Sequence, residues 1–106
     1  RPLGPPTYRK NLAEHGMITV VVAIDRRGKS IVCGPDIISR GFVYVRDSEV
    51  LMKDIKDIVR ESVYNCLQNN ITQWAEIKNS IRREVDTFIY KTMKKKPMIL
   101  PVIVEL

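Results

Sequence analysis

The feature that most constrains this chain is a set of extended runs loaded with apolar side chains on both faces. A strand with one wet face alternates apolar and polar residues. Met17 to Asp25 (MITVVVAID) does not. Ile18, Val20, Val22 and Ile24 form one face, while Met17, Val21 and Ala23 load the other. In Gly41 to Arg46 (GFVYVR), Phe42 and Tyr44 oppose Val43 and Val45. In the closing run Met98 to Leu106 (MILPVIVEL), Met98, Leu100, Val102 and Val104 oppose Ile99 and Ile103. Such strands ask for cover on both sides, so the question is what the rest of the chain offers as cover.

Only two segments read as amphipathic helices. In the first, Leu51, Ile55, Ile58, Val59, Ser62, Cys66 and Leu67 fall on one stripe, with Asp47 or Ser48 as N-cap and Asn69-Asn70 as a stop. In the second, Trp74, Ile77, Ile81, Val85, Phe88 and Ile89 recur at spacings of three or four. Thr72 is placed to cap its start and Pro97 to end it. Two helices cover one face of a small sheet. The other face is expected to be apolar and open, and an open apolar face marks an interface more often than not. The competing reading folds the connections and the N-terminal segment over it. Val21, Phe42, Tyr44 and Ile103 are the interface candidates.

The remaining segments complete an α+β reading. Arg26-Arg27-Gly28 turns the first strand into Lys29 to Cys33, a hairpin partner, and Gly34-Pro35-Asp36 breaks that partner. Ile37 to Arg40 reads as a structured loop. Pro101 cannot donate to a ladder, so the last strand starts after it, bulges there, or lies at an edge. The expected fold is a three-stranded, or four-stranded, sheet packed against two helices in the order β-β-β-α-α-β. Residues 1–7, rich in Pro and Gly, read as a linker or an expression remnant, and 8–106 as one domain. At 106 residues the chain has room for one core of two packed layers.

Reactive chemistry is hard to find. There is one histidine, His15, and two cysteines, Cys33 and Cys66, with no CxxC pair, so a metal centre in this chain is not expected. Cys66 on an apolar helical stripe suits a reduced core thiol. Gly-rich phosphate loops and Asp-rich metal motifs are absent, and no nucleophile stands beside a base. No apolar run is long enough to span a bilayer, no membrane partner is expected, and a cytoplasmic compartment is.

The formal net charge of +6 raises the odds of an anionic partner such as RNA. Lys91, Lys94, Lys95 and Lys96 are the candidate contacts. Cations in a last helical turn also complement the helix dipole, so both readings stand. Arg26, Arg27 and Lys29 form a second small basic group.

Two long stretches carry a family resemblance. Gly34-Pro35-Asp36-Ile37-Ile38-Ser39-Arg40-Gly41-Phe42-Val43-Tyr44 resembles the GPDIISRGFVY signature of the ribonuclease J C-terminal domain. Lys96-Pro97-Met98-Ile99-Leu100-Pro101-Val102-Ile103 resembles that family's RRPMILPVI ending. Trp74 followed by Glu76-Ile77-Lys78 is similar to its W-x-E-[IL]-K segment, and Asn11 to Gly16 to its LAEDG entry, with His15 where the family often has an acidic residue.

The resemblance implies a three-stranded sheet facing two helices, attached by a linker to a metallo-β-lactamase core with an inserted β-CASP domain. It implies an RNA-degrading and RNA-processing protein, exonucleolytic from 5′ to 3′ and also endonucleolytic, using zinc or manganese held elsewhere. The HxHxDH metal motif is absent here, so no catalytic residue, metal ligand or cofactor is assigned to this domain. The implied role is subunit assembly and support of activity, with the catalytic core and a second copy as partners. In the GPDIISRG loop, Gly34 and Gly41 permit unusual backbone angles, Pro35 stiffens the turn, and Ile37 and Ile38 anchor it. Asp36 reads as a turn-former. Arg40 is open to either an internal acidic partner or an external carboxylate or phosphate.

Overall fold

The computed structural model describes residues 15–25, 27–41 and 48–106. Three strands and two helices follow in the order β1 (Met17–Asp25), β2 (Ser30–Arg40), α1 (Ser48–Gln68), α2 (Trp74–Met93) and β3 (Met98–Glu105). The sheet order is β2-β1-β3, antiparallel on one side of β1 and parallel on the other. The most β-branched run in the chain thus takes the centre, where a strand is paired on both edges.

The two helices lie on one side only. α1 packs over β2, α2 over β3, and the helices pack on each other. Ile18, Val20, Val22 and Ile24 point under them and are essentially without solvent contact. They meet Ile55, Val59, Val63 and Leu67 from α1, and Ile77, Ile81, Val85 and Ile89 from α2. Each such side chain contributes about 1.5–3 kcal/mol through its removal from water. The expected helical stripes hold, with Val63 added; Ile58, Trp74 and Phe88 sit half-buried at the margin. Ser62, the one buried polar residue among those described, shares a 2.6 Å hydrogen bond with Ser80 across the helix seam, so it carries no unpaired group into the core.

The helix ends are set by backbone as much as by side chains. Asn70 is left-handed (φ 60), Ile71 N–H donates to Cys66 C=O at 2.8 Å and Asn70 N–H to Leu67 C=O at 3.1 Å. That is a Schellman closure, with Asn in the position glycine often fills. Lys29 Nζ donates to the Asn70 side chain at 2.5 Å and ties the β1–β2 hairpin to this turn. Thr72 does not cap α2. The N-cap is Gln73, with no side-chain cap hydrogen bond, and Trp74 opens the helix. α2 ends at Met93, ahead of Pro97, through a left-handed Lys94 whose N–H reaches Tyr90 C=O.

Two expectations change at β2. The strand is not broken at Gly34-Pro35-Asp36; it runs eleven residues, to Arg40. Register shifts opposite Val21–Ile24 absorb the extra residues as bulges, and Gly34 takes φ 90 there. Ile37 to Arg40 is therefore strand rather than loop. Of the third extended run, Phe42 to Arg46 lies outside the described residues, and so does the Asp47 cap. Pro101 sits in β3 with unbroken register to Val20, which is possible because β3 is an edge strand. Cys33 is exposed and Cys66 buried, and both are free. No helix among the described residues is long and apolar enough to cross a membrane.

Candidate functional site

The face of the sheet turned away from the helices is built from the odd-numbered residues of β1. Met17, Thr19, Val21 and Ala23 stay partly exposed, in strict alternation with the buried even positions. Parallel register sets Met98, Leu100, Val102 and Val104 beside them on one edge. Antiparallel register sets Asp36, Ile38 and Arg40 beside Val21, Thr19 and Met17 on the other. Leu100, Val102 and Val104 are each more than a third exposed, and Ile38 is 54% exposed. Three strands at about 4.8 Å spacing and eight residues at about 3.3 Å each make a patch of about 14 by 26 Å. Among the described residues nothing folds over it.

Two charges punctuate this patch. Asp36 lies opposite Val21 and Arg40 opposite Met17, with Ile38 between them on β2. Both are exposed, and neither takes part in an ion pair among the described residues. Ser39 falls on the other side of β2, opposite Ile18, and Pro35 is buried within the bulged stretch. Gly41 ends the strand at φ 67, its Cα side against Gly16.

Of the interface candidates, Val21 stands at the middle of the open face, between Asp36 and Val102. Ile103 does not belong to it. Ile103 pairs in register with buried Val22 and packs half-buried against the core under the helices. Phe42 and Tyr44 lie outside the described residues. What sequence reasoning missed is the β2 row. Asp36, Ile38 and Arg40 alternate with Ile37 and Ser39 at period two, a strand signal masked by the Gly-Pro dipeptide just before it. Ile37 anchors against the core, whereas Ile38 turns outward.

The basic residues gather elsewhere. Lys94 and Lys96 each place Nζ 5.2 Å from the centre of the half-exposed Tyr90 ring, a cation–π arrangement at the end of α2. Lys96 also lies 3.9 Å from Asp86, and its N–H donates to His15 Nδ1 at 2.8 Å. Lys91 is exposed one turn earlier than Lys95, which is half-buried. Arg27 and Lys29 occupy the hairpin at the opposite end of β1, about 26 Å away. The two basic groups therefore do not merge into one track; Arg26 lies outside the described residues. Among the described residues no three His, Cys, Asp or Glu side chains gather closely enough to hold a metal ion.

Comparison with known proteins identifies the family. Residues 7–106 match the family model of the ribonuclease J C-terminal domain. Ribonuclease J 2 of Staphylococcus saprophyticus is 44% identical over 98 residues, which is 92% of this chain and 18% of that protein. Ribonuclease J2 of Bacillus subtilis is 39% identical over 97 residues, with the same coverage. Ribonuclease J 2 of Staphylococcus aureus is 43% identical over 98 residues. The chain spans 18% of the length of these relatives. This chain belongs to the ribonuclease J C-terminal domain family.

Proposed function

We propose that this chain is the non-catalytic assembly domain of an RNA-degrading ribonuclease, and that the open sheet face is its working surface. One observation carries the reading. On one side of the sheet the fold buries the whole central row, Ile18, Val20, Val22 and Ile24, and on the other it leaves aliphatic side chains, Val21, Ile38, Leu100 and Val102, that nothing among the described residues covers. Burying that row against a second copy or the catalytic core removes apolar surface from water. Metal-dependent cleavage of RNA, exonucleolytic and endonucleolytic, belongs in this proposal to the remainder of the protein. The chain's described residues offer no donor set for zinc or manganese, and no step is assigned to it.

Light scattering on the eluting chain, across concentration and at low and high salt, tests the reading. Apolar association persists as salt rises, whereas phosphate binding collapses. A salt-resistant shift from monomer to dimer supports assembly. A monomer at every concentration would count against self-assembly and leave the basic cluster around Tyr90, an RNA-binding surface in the second reading, as the function to pursue. Cleavage of labelled RNA by the chain, surviving chelator and repeated purification, would overturn the non-catalytic role.

A further inference from the structure

Tyr90 is 46% exposed while its neighbour Ile89 is buried, so the ring projects from the helical layer into water and takes no part in the open sheet face. The Nζ atoms of Lys94 and Lys96 each lie 5.2 Å from the ring centre, which keeps the two ammoniums at most twice that distance apart. Lys91 is exposed at the next position along α2. Among the described residues the carboxylate placed beside these three cations is Asp86, 3.9 Å from Lys96. The C-terminus of α2 adds the equivalent of about half a negative charge. An excess of positive charge remains, so neutralising the helix end does not by itself account for the cluster. The backbone points the same way. Lys94 is left-handed, φ 59, at the position that closes α2, where glycine is the usual residue. A side chain there costs stability relative to glycine, and what is gained is an ammonium over an exposed ring. Lys96 is pinned as well, since its N–H donates to His15 Nδ1 at 2.8 Å and buried Pro97 follows it. The backbone beneath both lysines is thus fixed before any ligand arrives, which lowers the cost of ordering them around one.

Resting on the second, RNA-binding reading above, we propose that Tyr90 and Lys94 form a nucleotide site for single-stranded RNA, with an unpaired base stacked on the Tyr90 ring and the flanking phosphates drawn to Lys91, Lys94 and Lys96. A cation over an exposed ring is held weakly, so an incoming base displaces it. The displaced ammonium stays on its stem beside the base and meets the phosphate there. Stacking on an aromatic ring accepts any base, so the site reads strandedness rather than sequence. Duplex RNA keeps its bases in the stack and cannot use the ring. The ring and its lysines stand at the end of α2, away from the centre of the open face, so assembly and RNA binding do not compete.

Fluorescence anisotropy with a labelled oligoadenylate tests this, with inorganic polyphosphate as a competitor that offers charge without bases. The unaltered chain is expected to bind in the range of non-specific nucleic-acid association, about 10⁻⁴ to 10⁻⁶ M. Tyr90→Ala weakens oligoadenylate binding by about 5-fold or more, whereas Tyr90→Phe, which keeps the ring, binds as the unaltered chain does. In Tyr90→Ala the salt slope and the inhibition by polyphosphate are unchanged, because no charge is removed. Lys94→Gly separates structure from binding. It raises the melting temperature by relieving the left-handed position, yet it lowers the affinity, with a salt slope smaller by roughly 0.7. Tyr90→Ala binding oligoadenylate as well as the unaltered chain, or a hairpin duplex bound as tightly as the oligoadenylate, overturns the stacking site; a loss confined to Lys94→Gly would then leave the phosphate-binding reading in place. An unaltered chain that binds no oligoadenylate, or binds phosphatidylglycerol vesicles in its place, overturns both.

Discussion

Ile99 and Leu100 are neighbours in sequence and lie on opposite faces of β3, Ile99 at 6% exposure beneath the helices and Leu100 at 39% on the open side. The same substitution at the two positions therefore reads two different environments. Ile99→Ala leaves a cavity under α2 and costs about 2–5 kcal/mol. Leu100→Ala removes a side chain that keeps much of its water contact in the isolated chain, and costs less than about 1 kcal/mol. Urea unfolding of the two variants at a concentration where the chain is monomeric measures the difference. Equal losses would contradict a sheet covered on one face only.

Gly34 is the position where the β2 backbone leaves no room for a side chain. Its φ is 90, and a Cβ there would stand 2.8 Å from the Val21 carbonyl oxygen. Gly34→Ala must both strain the backbone and push β2 off β1, at a cost of about 1–3 kcal/mol. Chemical denaturation gives the value. A variant as stable as the parent would mean that the bulge is easily rebuilt.

Asp57 is held below the ordinary carboxylate range, first by the hydrogen bond from Lys53, against which desolvation works, and then by the nearby charges of Lys53 and Arg60. Lys53 Nζ lies 3.0 Å and Arg60 2.8 Å from its carboxylate oxygens. A folded value below the unfolded one means that the stabilisation is present above the unfolded value and is lost as pH falls through the folded one. The group is exposed, so the effect is small. Carbon-detected titration of Asp57 is expected to give a midpoint below that of a free aspartate, and Asp57→Asn to flatten slightly the acid side of the stability curve. A midpoint at or above the free value would remove the ion-pair network as its cause.

Replacing Lys94, Lys95 and Lys96 together by glutamine leaves self-association unchanged, since these residues follow α2 at one end of the sheet, away from the centre of the open face. If the cluster binds single-stranded RNA, the slope of log affinity against log salt falls by up to about 2, at roughly 0.7 for each phosphate no longer neutralised. Filter binding across a salt series reads this directly, and an unchanged slope retires the RNA-binding role for these lysines.

How much of this could be read from sequence differs by element. The helices were legible, because their stripes at spacings of three and four residues have no rival pattern in Leu51 to Leu67 or Trp74 to Ile89. β1 was legible as a strand with two apolar faces, but alternation is symmetric and does not say which face the helices choose. That is why Ile103 read as an interface residue and proved to lie on the core side. β2 was obscured at Gly34-Pro35, since these residues end strands in most contexts and a bulge accommodates them only when a partner strand holds the register on both sides. The candidate site was thus visible as an open apolar face, while its charged row, Asp36 and Arg40, needed the pairing with β1 to appear.

The most direct measurement is a nuclear magnetic resonance dilution series on the labelled chain, following every backbone amide and methyl group from micromolar to near-millimolar concentration. An assembly surface on the open face predicts concentration-dependent shifts at Val21, Ile38, Leu100 and Val102, with Val20, Ile81 and the outer faces of both helices unmoved. Shifts confined to the helices, or none at any concentration, would contradict it.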